Sequence, residues 1–338
     1  EQAGGNVKVI NYISPRLRIK NQVFLTGSGK FAPLKQMPRR LVRSYFLIKR
    51  KKIFTQFLHN TMRFTEYYRN YNDLEKNPPK ADVYVTGSDQ VWNSDYNQGV
   101  EKFFYLDFAP ASAKRIAFSA SIGMQDIPEE EKAETKALLQ KYNAISVRED
   151  RAKELIEELG ITPVKHVLDP TMLLDRDDWT PLMQKVDALE EVPYLLLYQL
   201  NQNPDMDRIA QQIAEEKGLK IVKIELSFIH RNKKYFNITF ASPNQFLWLF
   251  SHASYVVTDS FHGTAFSINF NRQLSIVFPP RFSSRLASAA KMFGLENRIV
   301  DKGGVVNTEQ EIDYAPINEK LNQYRKEAKE FLRKAIKG

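Results

Sequence analysis

The stretch Val256-Val257-Thr258-Asp259-Ser260-Phe261-His262-Gly263-Thr264-Ala265-Phe266 passes from a β-branched segment through a polar turn into a helical pattern. His262 therefore falls at a helix N-terminus, where unpaired backbone N–H groups and the helix dipole favour an anion. The dipole disfavours imidazolium and a bound dianion favours it, so the titration of His262 is expected to follow occupancy. Ser260, Gly263 and Thr264 flank the same anion position. The other histidines, His59, His166, His230 and His252, lie in helical or strand patterns without a comparable context. A second turn of this kind, Pro279-Pro280-Arg281-Phe282-Ser283-Ser284-Arg285, sets two guanidinium groups and two hydroxyls at another helix start. Arg281, Ser284 and Arg285, taken with Ser260 and His262, suggest one phosphate-sized site in the C-terminal half.

Three earlier turns carry further candidates. In Thr86-Gly87-Ser88-Asp89-Gln90-Val91-Trp92-Asn93, Ser88 or Asp89 suits a helix cap. The functional reading is that Ser88, Asp89 and Asn93 face a cleft and bond the hydroxyls of a sugar. Ser119-Ala120-Ser121-Ile122-Gly123 is a run of small residues that permits close packing or close approach of a ligand. In Ser146-Val147-Arg148-Glu149-Asp150, Arg148 stands beside two carboxylates. It either forms a salt bridge or clamps a carboxylate or phosphate, since a guanidinium fork matches both anions.

These turns acquire meaning from the elements around them. Short apolar runs at Val83–Thr86, Arg115–Ser119, Ala144–Val147 and Val164–Leu168 read as strands, with helical patterns over Pro128–Tyr142 and Asp150–Leu159. After a linker over Asp169–Glu191 the alternation resumes with strands at Tyr194–Tyr198, Ile221–Ile224, Tyr255–Thr258 and Ser275–Phe278. Alternating strand and helix predicts an α/β chain of two Rossmann-like, doubly wound domains with parallel sheets. In such sheets ligands bind beyond the carboxyl ends of the strands, which is where the candidate residues fall. The boundaries expected are 1–175 for an N-terminal, acceptor-side domain and 190–305 for a C-terminal, donor-side domain, with 306–338 a helix packing back across both. Ahead of the first clear strand, Val7–Ile10 is strand-like and one or two basic amphipathic helices are expected within 30–75.

Composition narrows the class. With 43% hydrophobic and 26% charged residues among 338, neither a disordered chain nor a fibre is expected. Zero cysteines remove disulfides, thiolate metal sites and a cysteine nucleophile. There is no Walker loop, no complete Gly-x-Gly-x-x-Gly at a strand-to-helix turn, no His-Glu-x-x-His and no Gly-x-Ser-x-Gly, so nucleotide hydrolysis, dinucleotide chemistry, zinc proteolysis and esterase chemistry lose support. The net charge of +9 is concentrated at one end. Residues 2–65 hold 14 Lys and Arg and no Asp or Glu, against 35 basic and 40 acidic residues elsewhere. That asymmetry points to an anionic partner or to a solvated helix face.

Gly87-Ser88-Asp89-Gln90-Val91-Trp92-Asn93, Ser146-Val147-Arg148-Glu149, Leu168-Asp169-Pro170-Thr171 and Thr258-Asp259-Ser260-Phe261-His262-Gly263-Thr264, in that order, resemble the bacterial polysaccharide pyruvyl transferase family. The resemblance runs from Val7 to about Val300, and its specificity lies in the order and spacing of the motifs. It implies a GT-B-like fold and transfer of a pyruvyl group from phosphoenolpyruvate to sugar hydroxyls as a ketal. No further cofactor and no metal is implied. In that chemistry Arg148 with Arg281 or Arg285 would hold the donor, His262 would act as acid or base or assist phosphate departure, and Asp89 would orient or deprotonate an acceptor hydroxyl. Some members of the family carry Arg-x-His where this chain has Ser260-Phe261-His262, which passes that arginine's role to Arg148, Arg281 or Arg285, or implies a different donor. Members also begin with a strand and a helix before the position of Glu1, so a preceding segment is expected.

The acceptor implied is a sugar of a bacterial surface polysaccharide or of its lipid-linked precursor. The resemblance implies a cytoplasmic protein, and the basic end is then read as peripheral contact with the anionic inner face of a membrane. Two other classes stay open: a nucleotide-sugar-dependent glycosyltransferase of the same architecture, and a basic module that binds nucleic acid or membrane without catalysis. The concentration of polar motifs at strand ends favours an enzyme and makes nucleic acid the less expected partner.

Overall fold

The computed structural model describes residues 5–14, 37–225, 232–279, 283–301, 303–304, 306 and 308–338. The chain opens with β1 (Val9–Tyr12), followed by α1 (Met37–Thr61) and β2 (Phe64–Tyr68), and β1 pairs with β2 in parallel. Within the stretch expected to be helical, α1 is one continuous helix of 25 residues and β2 follows it. Lys49 lies on this helix with its ammonium 4.3 Å over the Phe240 ring.

The main N-terminal sheet contains β3 (Val83–Thr86), β4 (Lys114–Ala120), β5 (Ala144–Val147) and β6 (Val164–His166), all parallel and in sequence order. Between them lie α2 (Ser94–Asn97), α3 (Glu129–Leu139) and α4 (Asp150–Glu158). Side chains of β4 alternate between faces. Ala117 packs in the core with Leu138, Leu139, Leu155 and Ile156, while Phe118 on the other face meets Phe331 of the C-terminal helix.

The segment expected as a linker is built of turns rather than left extended. It forms 3-10 turns at Pro170–Met172, Thr180–Leu182 and Asp187–Leu189 and a short helix at Arg176–Trp179. Met172 and Leu189 are buried in the C-terminal core.

The C-terminal sheet contains β7 (Tyr194–Tyr198), β8 (Lys220–Ile224), β9 (Phe236–Ile238), β10 (Tyr255–Thr258), β11 (Gln273–Val277) and β12 (Ile299–Val300). Their parallel order, β12-β11-β10-β7-β8-β9, is the doubly wound order of a Rossmann fold. The order reverses between β7 and β10, and there the strands' carboxyl ends open a crevice. Helices α5 (Pro204–Lys217), α6 (Pro243–His252), α7 (Phe261–Asn269) and α8 (Ser284–Phe293) cover the sheet. Local signals set their ends: Asn203 caps α5, Pro204 opens it and Gly218 stops it in the left-handed conformation.

Helix α9 (Ala315–Lys337) ties the two halves together. Ile317 and Leu321 enter the C-terminal core, while Ala328 packs with Phe118 and Val167 of the N-terminal domain. Arg325 donates to the carbonyls of Met172 and Leu174 at 2.8 and 3.4 Å. The fold is thus α/β, with two parallel-sheet, Rossmann-like domains whose carboxyl ends face each other in a GT-B-like arrangement.

Candidate active site at the meeting of the two sheets

Arg148 follows β5 directly and is the centre of the site. Its Nη1 donates to Asp169 Oδ2 at 2.6 Å and its Nη2 to Asp89 Oδ1 at 3.0 Å. The guanidinium also lies 4.5 Å over the ring of Phe261 from the opposite domain. A planar cation held between a carboxylate and an aromatic face has its orientation fixed before any ligand arrives. Its Nε is buried without a hydrogen-bond partner among the described residues.

Two carboxylates share that cation on different terms. Asp169 is buried and accepts from the Thr171 backbone N–H and hydroxyl at 2.9 and 2.7 Å. Burial opposes its charge, but Arg148 and these hydrogen bonds outweigh that and hold its carboxyl below the usual range. Asp89 stands at the mouth with 73% of its side chain exposed. Crowding by protein raises its pKa, yet Arg148 and the Gln90 N–H bring it below the ordinary value. Arg285, on the first turn of α8, reaches Asp89 across the cleft at 4.0 Å, and its Nε is buried without a partner among the described residues. The turn that carries Asp89 requires glycine: Gly87 has φ +122°, and a Cβ there would meet the Phe118 carbonyl oxygen at 2.0 Å.

His262 enters from the C-terminal domain as the second residue of α7. Burial pushes its pKa below the usual histidine value, with Asp169 and Asp89 pulling upward and Arg148 and Arg285 pushing down. Its ring nitrogens have no hydrogen-bond partner among the described residues. Ser260 is the N-cap of this helix and accepts from the Gly263 N–H at 3.3 Å, so hydroxyl and amide are engaged with each other. Gly263 permits close packing on β10, since a Cβ there would lie 2.3 Å from Thr258 Oγ1. Thr264 is buried and its hydroxyl has no partner among the described residues.

The structure brings Asp89, Arg148, His262 and Arg285 together. Other sequence candidates are placed differently. Asn93 is fully buried and caps α2 by accepting from the Tyr96 N–H at 3.0 Å, leaving its Nδ2 unpartnered among the described residues. Ser88 is half-buried, as is Ser284 at the start of α8. Arg281 lies outside the described residues.

Some residues of the site escaped the sequence reading as individual groups. Asp169 was visible only within Leu168-Asp169-Pro170-Thr171, although an Asp before Pro just after a strand is a capping signal. Glu149 binds the Ser121 hydroxyl and the Ile122 and Gly123 N–H groups, fixing the small-residue turn after β4. Asp259 likewise accepts from the Leu200 and Asn201 N–H groups at 2.7 and 2.9 Å, which secures the crevice loop after β7.

A cavity of about 230 Å³ adjoins this cluster. His262 lines it together with Tyr198, Phe240 and Phe246 from the C-terminal domain, and Arg50 and Ile53 of α1 close the opposite wall. Phe46 of α1 packs on Phe240 with ring centroids 4.7 Å apart. The N-terminal helix therefore roofs the C-terminal crevice.

A sequence model of the family described as "Polysaccharide pyruvyl transferase" matches residues 1–274. The chain belongs to this family. No curated protein matches it in sequence. Among solved structures, the UDP-GlcNAc 2-epimerase from Neisseria meningitidis bound to UDP-GlcNAc aligns with TM-score 0.45 and 10% identity, over 96% of this chain and 86% of the other. Arabidopsis thaliana UGT89C1 complexed with UDP-L-rhamnose aligns with TM-score 0.46 and 12% identity, over 96% and 87%. At that level of likeness the neighbours' ligands say nothing about this member of the family. The motifs that carry the family resemblance supply Arg148, Asp89, Asp169 and His262, residues far apart in sequence that the fold gathers around one guanidinium.

Proposed function

We propose that the protein transfers a pyruvyl group from phosphoenolpyruvate to two hydroxyls of a sugar, in a surface polysaccharide or its lipid-linked precursor. The reading rests on one observation: two largely buried guanidinium groups, Arg148 and Arg285, converge on Asp89 beside His262. In the free protein the Asp89 carboxylate occupies the ground between the two arginines that a donor carboxylate or phosphate would take. Arriving donor displaces Asp89 toward the acceptor, where a carboxylate can orient a hydroxyl or receive its proton.

The reaction balances without a further reactant. The methylene carbon of the enol phosphate gains a proton, and C2 becomes cation-like. One hydroxyl forms the first C–O bond and loses its proton, the C–O bond to phosphate breaks, and the second hydroxyl closes the ketal and loses its own. The three-carbon unit keeps one of the protons exchanged, and the departing phosphate carries the other. Arg148 and Arg285 stabilise charge on the donor's carboxylate and phosphate. A donor of that charge raises the pKa of His262, converting a neutral imidazole into an acid able to protonate carbon or the leaving phosphate.

The test is incubation with phosphoenolpyruvate and a panel of galactose-, mannose- and N-acetylhexosamine-bearing acceptors, following phosphate release and acceptor mass. Donor-dependent phosphate release with a matching pyruvyl mass gain is expected. No response to the donor, alongside thermal stabilisation by a nucleotide sugar, would assign the site to glycosyl transfer instead.

A further inference from the structure

Helix α1 works on two sides. Its inner side roofs the cavity through Arg50 and Ile53 and packs through Phe46. Its outer side carries Tyr45 and Ile48, 61% and 62% exposed, and Leu58, 36% exposed, interleaved with exposed Lys51 and Lys52. Spacings of three and four residues align Tyr45, Ile48 and Lys52 along one row, and Lys51 and Leu58 fall two turns apart beside it. Large apolar side chains exposed among lysines mark an interaction surface rather than an ordinary solvated helix. The segment 2–65 contributes 14 basic residues and no acidic one, so nothing in it offsets the positive charge of this face.

We propose that the outer face of α1 seats the protein on an anionic membrane surface, with the apolar side chains in the boundary between headgroups and acyl chains and the lysines among the headgroups. Ile48 and Leu58 decide for lipid over nucleic acid. Aliphatic groups gain from leaving water in a bilayer, whereas a phosphodiester backbone offers them nothing. Phe54, which is 41% exposed, also lines the cavity, so the seated face and the cavity rim are continuous. Seating would then bring a lipid-linked sugar to the side of the cavity that leads to His262. This last consequence rests on the proposed function, and the seating itself does not.

Co-sedimentation of the full chain with vesicles tests the seating without reference to catalysis. Vesicles of phosphatidylcholine with phosphatidylglycerol should retain the protein, vesicles of phosphatidylcholine alone should not, and retention should fall with added salt. The pair Lys51→Gln with Lys52→Gln should weaken binding roughly 30-fold, from about 1 kcal/mol per basic residue at such a surface. Tyr45→Ser with Ile48→Ser should weaken it as well, with little change in melting temperature because these two side chains are about three fifths exposed. Equal retention on neutral vesicles, no retention on either kind, undiminished binding by either double variant, or tighter retention by single-stranded DNA than by anionic vesicles would overturn the proposal.

Discussion

Arg148 and Asp169 form an ion pair at 2.6 Å in which the two side chains are 1% and 0% exposed. Removing one partner of a buried pair leaves the other charge without compensation and costs about 3–5 kcal/mol. Asp169→Ala should therefore lower the unfolding free energy by about that amount in urea titrations. A loss under about 1 kcal/mol would mean that Asp89, already bonded to the same guanidinium at 3.0 Å, compensates Arg148 by itself.

Asp89 bonds the same guanidinium from an exposed position, and exposed pairs contribute about 0–1 kcal/mol. Asp89→Ala should leave the urea midpoint close to that of the parent while lowering pyruvyl transfer. If stability fell as far as in Asp169→Ala, Asp89 would be a structural partner of Arg148 and its place in the chemistry would be lost.

His262→Ala removes a ring with no hydrogen bond among the described residues. Positioned acid–base groups contribute about 10²–10⁴-fold, so turnover should fall by that order with little change in melting temperature. Full pyruvylation by this variant would remove the histidine from the mechanism.

The titration of His262 sets a pH signature. Its folded pKa is depressed from an unfolded value of about 6.5, so the unfolded chain binds more protons between the two. The associated stability is complete above about pH 6.5 and is lost as pH falls through the folded value. His262→Gln should lose less stability than the parent between about pH 7 and 5 when unfolding is followed by circular dichroism. Asp89 and Asp169 do not confuse this window: their folded values are also depressed, so their contribution is present above about pH 3.9 and is lost below it. Identical slopes for parent and variant would place the histidine in an unperturbed environment.

Gly263→Ala would set a methyl 2.3 Å from Thr258 Oγ1, an atom that donates to the Tyr198 carbonyl at 2.8 Å and accepts from the Ser260 N–H at 3.1 Å. Overpacking of this kind costs about 1–3 kcal/mol. Differential scanning should show a lower melting temperature, and pairing the change with Thr258→Ser, which removes a methyl but keeps the hydroxyl bonds, should recover only part of it.

Strands buried on both faces were the most legible part of the fold. Ala144–Val147, Tyr194–Tyr198 and Tyr255–Thr258 have the bounds that their apolar runs indicate, because continuous burial leaves little choice of register or end, and Val83–Thr86 has its expected bounds although Val85 is half exposed. β4 extends to Lys114 and β8 to Lys220, where a polar residue can begin a strand at the sheet margin. β2, with sequence Phe-Thr-Glu-Tyr-Tyr, lay hidden after a basic helix; its strand state depends on pairing with β1, more than 50 residues earlier. The segment 169–191 looked like a linker because its apolar residues lack periodicity, yet Met172 and Leu189 are anchored in a core that the rest of the chain supplies.

The sequence by itself determined the α/β class and the strand-end turns, which depend on interactions over a few residues, whereas the cap of α2 is Asn93 instead of Ser88 or Asp89, and Ser260, expected at the anion site, caps α7. The sequence also located His262 at a helix start and Arg148 after a strand. Tertiary structure decided which of those turns meet. Whether Arg148 faced a salt bridge or an anion site could not be settled from Glu149 and Asp150 beside it, because its partners are Asp89, Asp169 and the ring of Phe261. It likewise decided that Asn93 is buried and Asp89 is exposed, though they are four residues apart. Burial and long-range charge depend on how the two sheets face each other, and no local pattern encodes that orientation.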